Sequence, residues 1–176
     1  MNIFVLSFNF VECAQDMVDR HVVKMILEYC QLLSTAHHIL DHEPKKDFIY
    51  KPTHVNHPCA KWVRESSANY TWLVNMLGAL LQEYTYRYNK VHACTRLYPY
   101  FQSELPDKIP HGDLTPFALA MPDECKVVGD PVQSYRVYYI THKQNLFAWK
   151  KRSRPQWLTE TSPLSHQSTD WPDPRE

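Results

Sequence analysis

The chain has 176 residues, the length of one domain, and its 44% hydrophobic and 22% charged residues exclude a wholly disordered protein. Its three glycines, at positions 78, 112 and 129, cannot form the GxGxxG or GxxxxGK loops of the usual nucleotide-binding folds. The net charge is zero, but residues 159–176 hold four acids and one base, so residues 1–158 carry a net charge of +3.

The spacing of apolar residues predicts a mainly α protein. Residues 1–6 alternate weakly and include β-branched and aromatic side chains, which predicts a short extended segment packed at an edge of the fold. Farther along, apolar residues recur at the 3.6-residue period that is typical of helices with one buried face. The last helix is expected to begin at Asp130 and Pro131, which suit an N-cap and a first helical position. The predicted helices lie at about 13–40, 59–89 (where Ser66 and Ser67 allow a break), 93–103 and 131–150.

The segments between these helices are rich in proline and predict long ordered loops at 41–58 and 104–116. Residues 117–121 fit either a turn or a helix. Residues 159–176 contain almost no aliphatic side chains and predict a mobile acidic tail. We therefore expect a compact single helical domain over residues 1–158, with a short extended N-terminal segment and long ordered loops.

The sequence shows no pattern typical of export or membrane insertion. Its apolar runs are too short for a transmembrane helix, and residues 1–6 lack the basic region and cleavage site of a signal peptide. The five cysteines are widely spaced and form no CxxC pair, which predicts reduced thiols and neither a zinc finger nor a disulfide framework. These features predict a cytoplasmic protein.

Polar side chains form a stripe along the first long helix. His21, Lys24 and Glu28 are three and four residues apart, so they share one helix face. An imidazole, an amine and a carboxylate on one rigid element suit acid–base catalysis. The alternative is an ordinary solvated helix face on which Lys24 and Glu28 form an i,i+4 ion pair.

The loop before the second helix and the start of that helix are rich in groups that could bind a substrate. Histidine, amide and cationic side chains suit hydrogen bonds and phosphate contacts, and the prolines restrain the backbone. His54 and His57 are three apart, so a metal-dependent nuclease is an alternative, although no carboxylate lies near them in sequence. The candidate binding residues in this region are His54, Asn56, His57, Lys61 and Arg64.

A basic segment lies near the end of the predicted domain. Residues 136–154 contain six basic residues and no acidic residue. Such a cluster suits a phosphate backbone, and the alternative is a solvated basic face.

Two resemblances to known proteins follow from these segments. Residues 1–6, 19–28, 51–58 and 138–157 resemble a group of uncharacterised small proteins common in phage genomes, which implies no function. The chain is also similar, more distantly, to the pyrimidine-dimer DNA glycosylase family, the small all-α enzymes of the endonuclease V type. Members carry a histidine and, seven residues later, a catalytic glutamate on the first long helix, as His21 and Glu28 do. The further matches, in chain order, are Asn56-His57-Pro58, Trp62, Glu83 and Arg87.

The resemblance implies a nucleophilic amine beside Glu28. In the family's phage prototype, removal of the initiator methionine exposes an α-amine that attacks C1′ of the sugar, giving an imine and then strand cleavage. Here Asn2 is bulkier than the residues after which methionine is usually removed, so we expect Met1 to remain. The nucleophile is then the amine of Met1 or of Lys24, or lyase chemistry is absent.

The sequence therefore predicts a DNA glycosylase, with or without AP lyase activity, that acts on damaged or modified pyrimidines without a cofactor. The target base has to leave the duplex stack to be reached. Glu28, His21, Lys24 and Met1 are the expected catalytic residues, and Arg87 joins the five expected to bind DNA or nucleotide. The alternatives are an enzyme acting on free nucleotides and a non-catalytic phage accessory protein binding nucleic acid or a host protein. A polar stripe facing bulk solvent would favour the accessory protein.

Overall fold

The fold is mainly α, as the sequence predicts. The computed structural model describes residues 1–160, and no β-strand occurs in that part of the chain. The predicted tail 159–176 lies almost entirely outside the described residues. Short 3-10 turns span Ala93–Leu97, Asp123–Cys125 and Gln144–Leu146. The α-helices are α1 (Phe10–Asp16), α2 (Asp19–Leu40), α3 (Pro58–Glu65), α4 (Ser67–Tyr88), α5 (Tyr98–Ser103), α6 (Pro131–His142) and α7 (Gln156–Glu160).

Two long helices organise the core. Helices α2 and α4 have 22 residues each and pack against each other, and α1 and α3 pack against α4. The predicted loop 41–58 has no helix before Pro58 and is fastened to α2 by side-chain to backbone hydrogen bonds. His38 Nε2 bonds the carbonyl of Tyr50 at 2.9 Å, and Thr35 Oγ1 accepts from the amide of Thr53 at 3.1 Å. The polar face of α2 therefore holds the loop that precedes α3.

The helix boundaries differ from the prediction where capping groups decide them. The helix predicted over 13–40 is two helices, because Asn9 caps an earlier start for α1 and the chain turns at residues 17–18. The predicted break near Ser66 is confirmed, since Ser66 Oγ accepts from the amide of Asn69 and starts α4. Helix α6 ends at His142 and does not reach residue 150. Helix α7 was not predicted.

The N-terminal segment is not an edge strand. Residues 3–6 are almost completely buried in the core. The ring of Phe4 stacks on His21 of α2 with centroids 4.4 Å apart and meets Tyr139 of α6 edge-on. Arg136 Nε donates to the carbonyl of Leu6 at 3.0 Å. The alternating apolar pattern therefore reflects burial between helices, and this burial fixes the path of the chain up to its first residue.

No helix in the described part of the chain is long and apolar enough to cross a bilayer.

Candidate active site

The N-terminal segment delivers the amino group of Met1 to helix α2. The α-amino nitrogen lies 3.6 Å from Oε2 of Glu28. On the other side of the same carboxylate, Lys24 Nζ lies 3.3 Å from Oε1. One carboxylate is thus flanked by two amines, the α-amine of the chain and the ε-amine one helical turn away. We call Met1, Lys24 and Glu28 the amine–carboxylate cluster.

The three members of this cluster differ in exposure. The side chains of Met1 and Glu28 are 5% and 11% exposed, whereas that of Lys24 is 63% exposed. Met1 as a residue is nevertheless partly exposed, so its accessible surface lies in the main chain rather than in the thioether side chain. The buried side chain anchors the residue, and its backbone end, which includes the amino group, reaches the surface. The polar stripe therefore does not simply face bulk solvent.

Two oxygen atoms here accept no hydrogen bond from within the protein. Within residues 1–160, Glu28 Oε2 and Asn2 Oδ1 are fully buried and accept no hydrogen bond. Buried polar atoms in folded proteins almost always have a partner, and exceptions concentrate where a water or ligand binds. Glu28 Oε2 is the oxygen that lies 3.6 Å from the Met1 amine, too far for a hydrogen bond, so it keeps its capacity to accept one.

His57 and Cys59 lie close enough to the amine–carboxylate cluster for its charges to affect their pKa values. His57 caps α3, because its Nδ1 accepts from the amide of Cys59 at 3.1 Å. Burial lowers the pKa of His57, and the positive charge of the chain's amino terminus adds to this effect. Burial raises the pKa of the Cys59 thiol to about 11. Both groups are therefore neutral at pH 7, and His57 presents a neutral imidazole beside the amino terminus.

His21 differs from the expected acid–base partner. It is 5% exposed, stacks on Phe4, and its Nδ1 lies 2.6 Å from the hydroxyl of Tyr139. Burial, reinforced by the positive charges of Lys143, Lys24 and Arg20, lowers the pKa of His21 to about 3. The imidazole is neutral at pH 7, and its contacts position the N-terminal segment on α2. We therefore expect His21 to act as a positioning residue.

This burial predicts how His21 affects stability with pH. Below about pH 6.5 the unfolded chain protonates His21, but the folded protein does not until about pH 3, so stability falls as the pH decreases through this window. Replacing His21 by Asn removes this contribution. We expect the loss of unfolding free energy between about pH 7 and about pH 4 to be smaller by about 3 kcal/mol in the variant. Urea denaturation at both pH values measures the unfolding free energies, and equal losses in the wild type and the variant would contradict the prediction.

The expected binding residues fall into two groups. His54, Asn56 and Lys61 are exposed near the start of α3, next to the partly buried cap His57. Arg64 is partly buried, and its Nη2 donates to the carbonyl of Val55 at 3.0 Å, so it braces the loop. Among the described residues, the group with metal-ligand geometry is Glu124, Cys125 and His142, and it includes neither His54 nor His57. The structure thus gives no support to the metal-dependent nuclease.

The prediction that Arg87 binds DNA is wrong, because its side chain cannot contact DNA. It is completely buried and joins the end of α1 to the start of α2. Its guanidinium donates to the carbonyls of Ala14, Gln15 and Met17, three of the groups that a helix end leaves unpaired. It also pairs with Glu83 at 2.7 Å and with Asp19 at 2.9 Å. These contacts leave Arg87 no part in binding a phosphate.

Several basic side chains of the segment 136–154 bind other parts of the protein. Arg136 bonds the N-terminal segment, Arg152 pairs with Glu83 at 3.0 Å, and Lys151 Nζ donates to the carbonyl of Tyr86 at 2.9 Å. At least half of the six bases thus bind other parts of the protein, and the phosphate-binding surface expected of this segment is correspondingly smaller.

Two residues of this region were not among the expected site residues. The hydroxyl of Tyr139 contacts His21 across 118 residues of sequence, and Asn2, which follows Met1, has a buried side-chain oxygen. The Tyr138-Tyr139 pair is visible in the sequence, but its contact with α2 depends on the packing of α6.

One of the comparisons with known proteins gives a match. A family model described as pyrimidine dimer DNA glycosylase matches residues 1–96, which is more than half of the chain and includes the whole amine–carboxylate cluster. Helices α5, α6 and α7 lie beyond the matched range. No curated protein and no solved structure matches the chain.

Proposed function

The chain belongs to the pyrimidine dimer DNA glycosylase family, and we propose that it excises damaged pyrimidines from DNA and cleaves the strand with the α-amine of Met1 as nucleophile. At the family level, the activity is that of a pyrimidine dimer DNA glycosylase. The lyase step, the choice of amine and the residue roles are the content of the proposal. The observation that carries it is the 3.6 Å separation between the Met1 amine and Glu28.

The proposed reaction begins with the neutral amine. The neutral amine nitrogen of Met1 attacks C1′ of the deoxyribose, and the Glu28 carboxylate takes a proton from this nitrogen once the base has left. The C1′–N bond to the base breaks, and the base leaves with its electron pair and takes up a proton. The negative carboxylate beside C1′ stabilises the positive charge that develops on the sugar.

The bond formed to nitrogen then permits strand cleavage. The C1′–O4′ bond opens, O4′ gains a proton, and a protonated imine joins Met1 to C1′. This cation acidifies C2′, so loss of a C2′ proton expels the 3′ phosphate by β-elimination. Water hydrolyses the imine and restores the amine. These steps need an amine and a carboxylate within reach of one carbon, and they need no cofactor.

The two amines of the cluster are not equivalent. The Lys24 side chain is 63% exposed, and its flexible stem does not fix the position of its amine. The Met1 residue is held by its buried side chain, so its amine keeps one place beside Glu28. These differences support Met1 as the nucleophile and Lys24 as a cation that faces the phosphate backbone.

The exposed surface around the cluster suits an extruded nucleotide. Lys24, Lys61 and Asn56 are exposed on α2, α3 and the loop before α3. Cations and amides at these positions can hold the backbone and a displaced base, and a damaged base pair costs least to open. His57 offers a neutral hydrogen-bonding group beside the amine.

The test uses duplexes carrying a cyclobutane pyrimidine dimer or an abasic site, with an undamaged duplex and free nucleotides as further substrates. Strand breaks that appear only after alkali report base excision, and breaks without alkali report the lyase step. We expect base excision and the lyase step at the dimer, and the lyase step alone at the abasic site. Absence of cleavage from every duplex would contradict the proposal, and turnover of free nucleotides alone would favour the nucleotide enzyme.

Retention of Met1 gives a sharper prediction. Replacing Asn2 by Ala places a small residue after Met1, so the methionine is removed and the amine moves to residue 2. The chain then ends about 3.8 Å earlier, and we expect cleavage at the abasic site to fall at least about 100-fold. Asn2→Gln is the matched control, because it also alters the buried Oδ1 position but keeps Met1.

Intact-protein mass spectrometry establishes which variant has lost Met1. Full cleavage by a trimmed Asn2→Ala protein would show that the position of the Met1 amine is not what the reaction requires.

A further inference from the structure

A second cluster of side chains lies away from the amine–carboxylate cluster. Glu124 and Cys125 come from the 3-10 turn Asp123–Cys125, and His142 is the last residue of α6. One ligand atom from each lies within 4.8 Å of the other two. Cys125 Sγ is 3.6 Å from His142 Nδ1, and His142 Nε2 is 3.6 Å from Glu124 Oε1.

We propose that Glu124, Cys125 and His142 bind one zinc ion. Thiolate, imidazole and carboxylate are the ligands that zinc takes in proteins, at about 2.0–2.3 Å. In a tetrahedral site such ligands are about 3.3–3.6 Å apart, and the 3.6 Å between Cys125 Sγ and His142 Nδ1 fits this range. With Nδ1 as the imidazole ligand, the exposed Glu124 carboxylate, which now lies nearest Nε2, has to rotate toward the ion. Water completes the coordination.

The surroundings of the cluster fit this assignment. Cys125 is fully buried, and the hydroxyl of Thr141 lies 3.4 Å from its sulfur and 2.7 Å from His142 Nδ1, so zinc would displace this hydroxyl from the imidazole. The side chains of Glu124 and His142 are 68% and 38% exposed, so an ion can arrive from the solvent side.

The nearest lysines in sequence are engaged elsewhere. Lys126 pairs with Asp123 at 2.7 Å, and the ammonium of Lys143 lies over the ring of Tyr138 at 4.7 Å. Both ammonium groups therefore have a partner other than the proposed ligands.

The bound ion would have a structural role. It would fasten the 123–125 turn to the last turn of α6, the helix whose Tyr139 holds His21. Binding requires the thiol to lose its proton, so zinc affinity rises with pH. The sequence gives no signal for this site, because the ligands are 17 residues apart and fit no short zinc motif.

The test titrates metal-free protein with Co²⁺, whose complexes with thiolates absorb in the near ultraviolet. We expect one equivalent of Co²⁺ to give a thiolate band that Zn²⁺ abolishes. Cys125→Ser should lose the band, and His142→Ala should weaken binding at least about tenfold. His111→Ala, which removes another exposed histidine, is the control and should bind as the wild type does.

Zinc should also raise the melting temperature of the wild type but not of His142→Ala. Absence of a thiolate band, or the same band in Cys125→Ser, would overturn the proposal. If Cys125→Ser does not fold, Glu124→Gln and His142→Ala alter exposed side chains and decide the question. Unchanged Co²⁺ affinity in both of these variants would equally overturn it.

Discussion

Replacing Glu28 by Gln should lower the rate of base excision and strand cleavage by about 10²–10⁴-fold. The substitution keeps the shape of the side chain but removes the negative charge between the two amines. It therefore removes both the acceptor for the ammonium proton and the charge that stabilises the sugar cation. Single-turnover cleavage of a duplex with a cyclobutane pyrimidine dimer, under enzyme excess, measures the effect on the chemical steps.

Glu43→Gln is the matched control, because Glu43 is an exposed glutamate in the loop between α2 and α3. We expect it to cleave at the wild-type rate. Circular dichroism and thermal melting establish that Glu28→Gln is folded. A folded Glu28→Gln variant with the wild-type single-turnover rate would contradict the role given to this carboxylate.

Replacing Arg87 by Ala should lower the free energy of unfolding by about 3–5 kcal/mol. Arg87 is completely buried, so its removal leaves the negative charge of Glu83 less well neutralised. It also leaves three backbone carbonyls of α1 and the following turn without their hydrogen-bond donor. Removing one partner of a buried ionic network costs much more than breaking an exposed pair. Urea denaturation at pH 7 gives the value.

Arg152→Ala is the control for this prediction. Arg152 pairs with the same Glu83, but its side chain is 28% exposed, and Glu83 keeps Arg87 as its partner in this variant. We expect a loss of about 1 kcal/mol. Equal losses in the two variants, or a folded Arg87→Ala protein whose only defect is weaker DNA binding, would contradict the structural role of Arg87.

The helices and the polar face of α2 that carries Glu28 could be predicted from the sequence because both depend on local spacing. Apolar residues at the helical period placed α2 and α4, and Ser66 marked the break between α3 and α4. The seven-residue spacing of His21 and Glu28 puts them on one face of α2, the face on which the N-terminal segment packs. Such signals lie within a few turns of one helix.

The structural roles of Arg87 and His21 could not be predicted, because their partners are distant in sequence. Arg87 binds carbonyls about 70 residues away, and His21 bonds Tyr139, 118 residues away. A basic residue in a helix looks alike whether it faces DNA or a buried helix end. The apolar residues 3–6 likewise fit an edge strand as well as a buried segment, and only the packing of α2 and α6 distinguishes the two.

The most direct test of the central claim is to trap the imine with borohydride and identify the amine that carries it. The protein is mixed with a duplex containing an abasic site, reduced and digested, and the cross-linked peptide is sequenced by mass spectrometry. We predict that the DNA remnant is attached to the α-amine of Met1 and that Glu28→Gln reduces the adduct. An adduct on Lys24, or no adduct under conditions in which the strand is cleaved, would contradict the assignment of Met1 as the nucleophile.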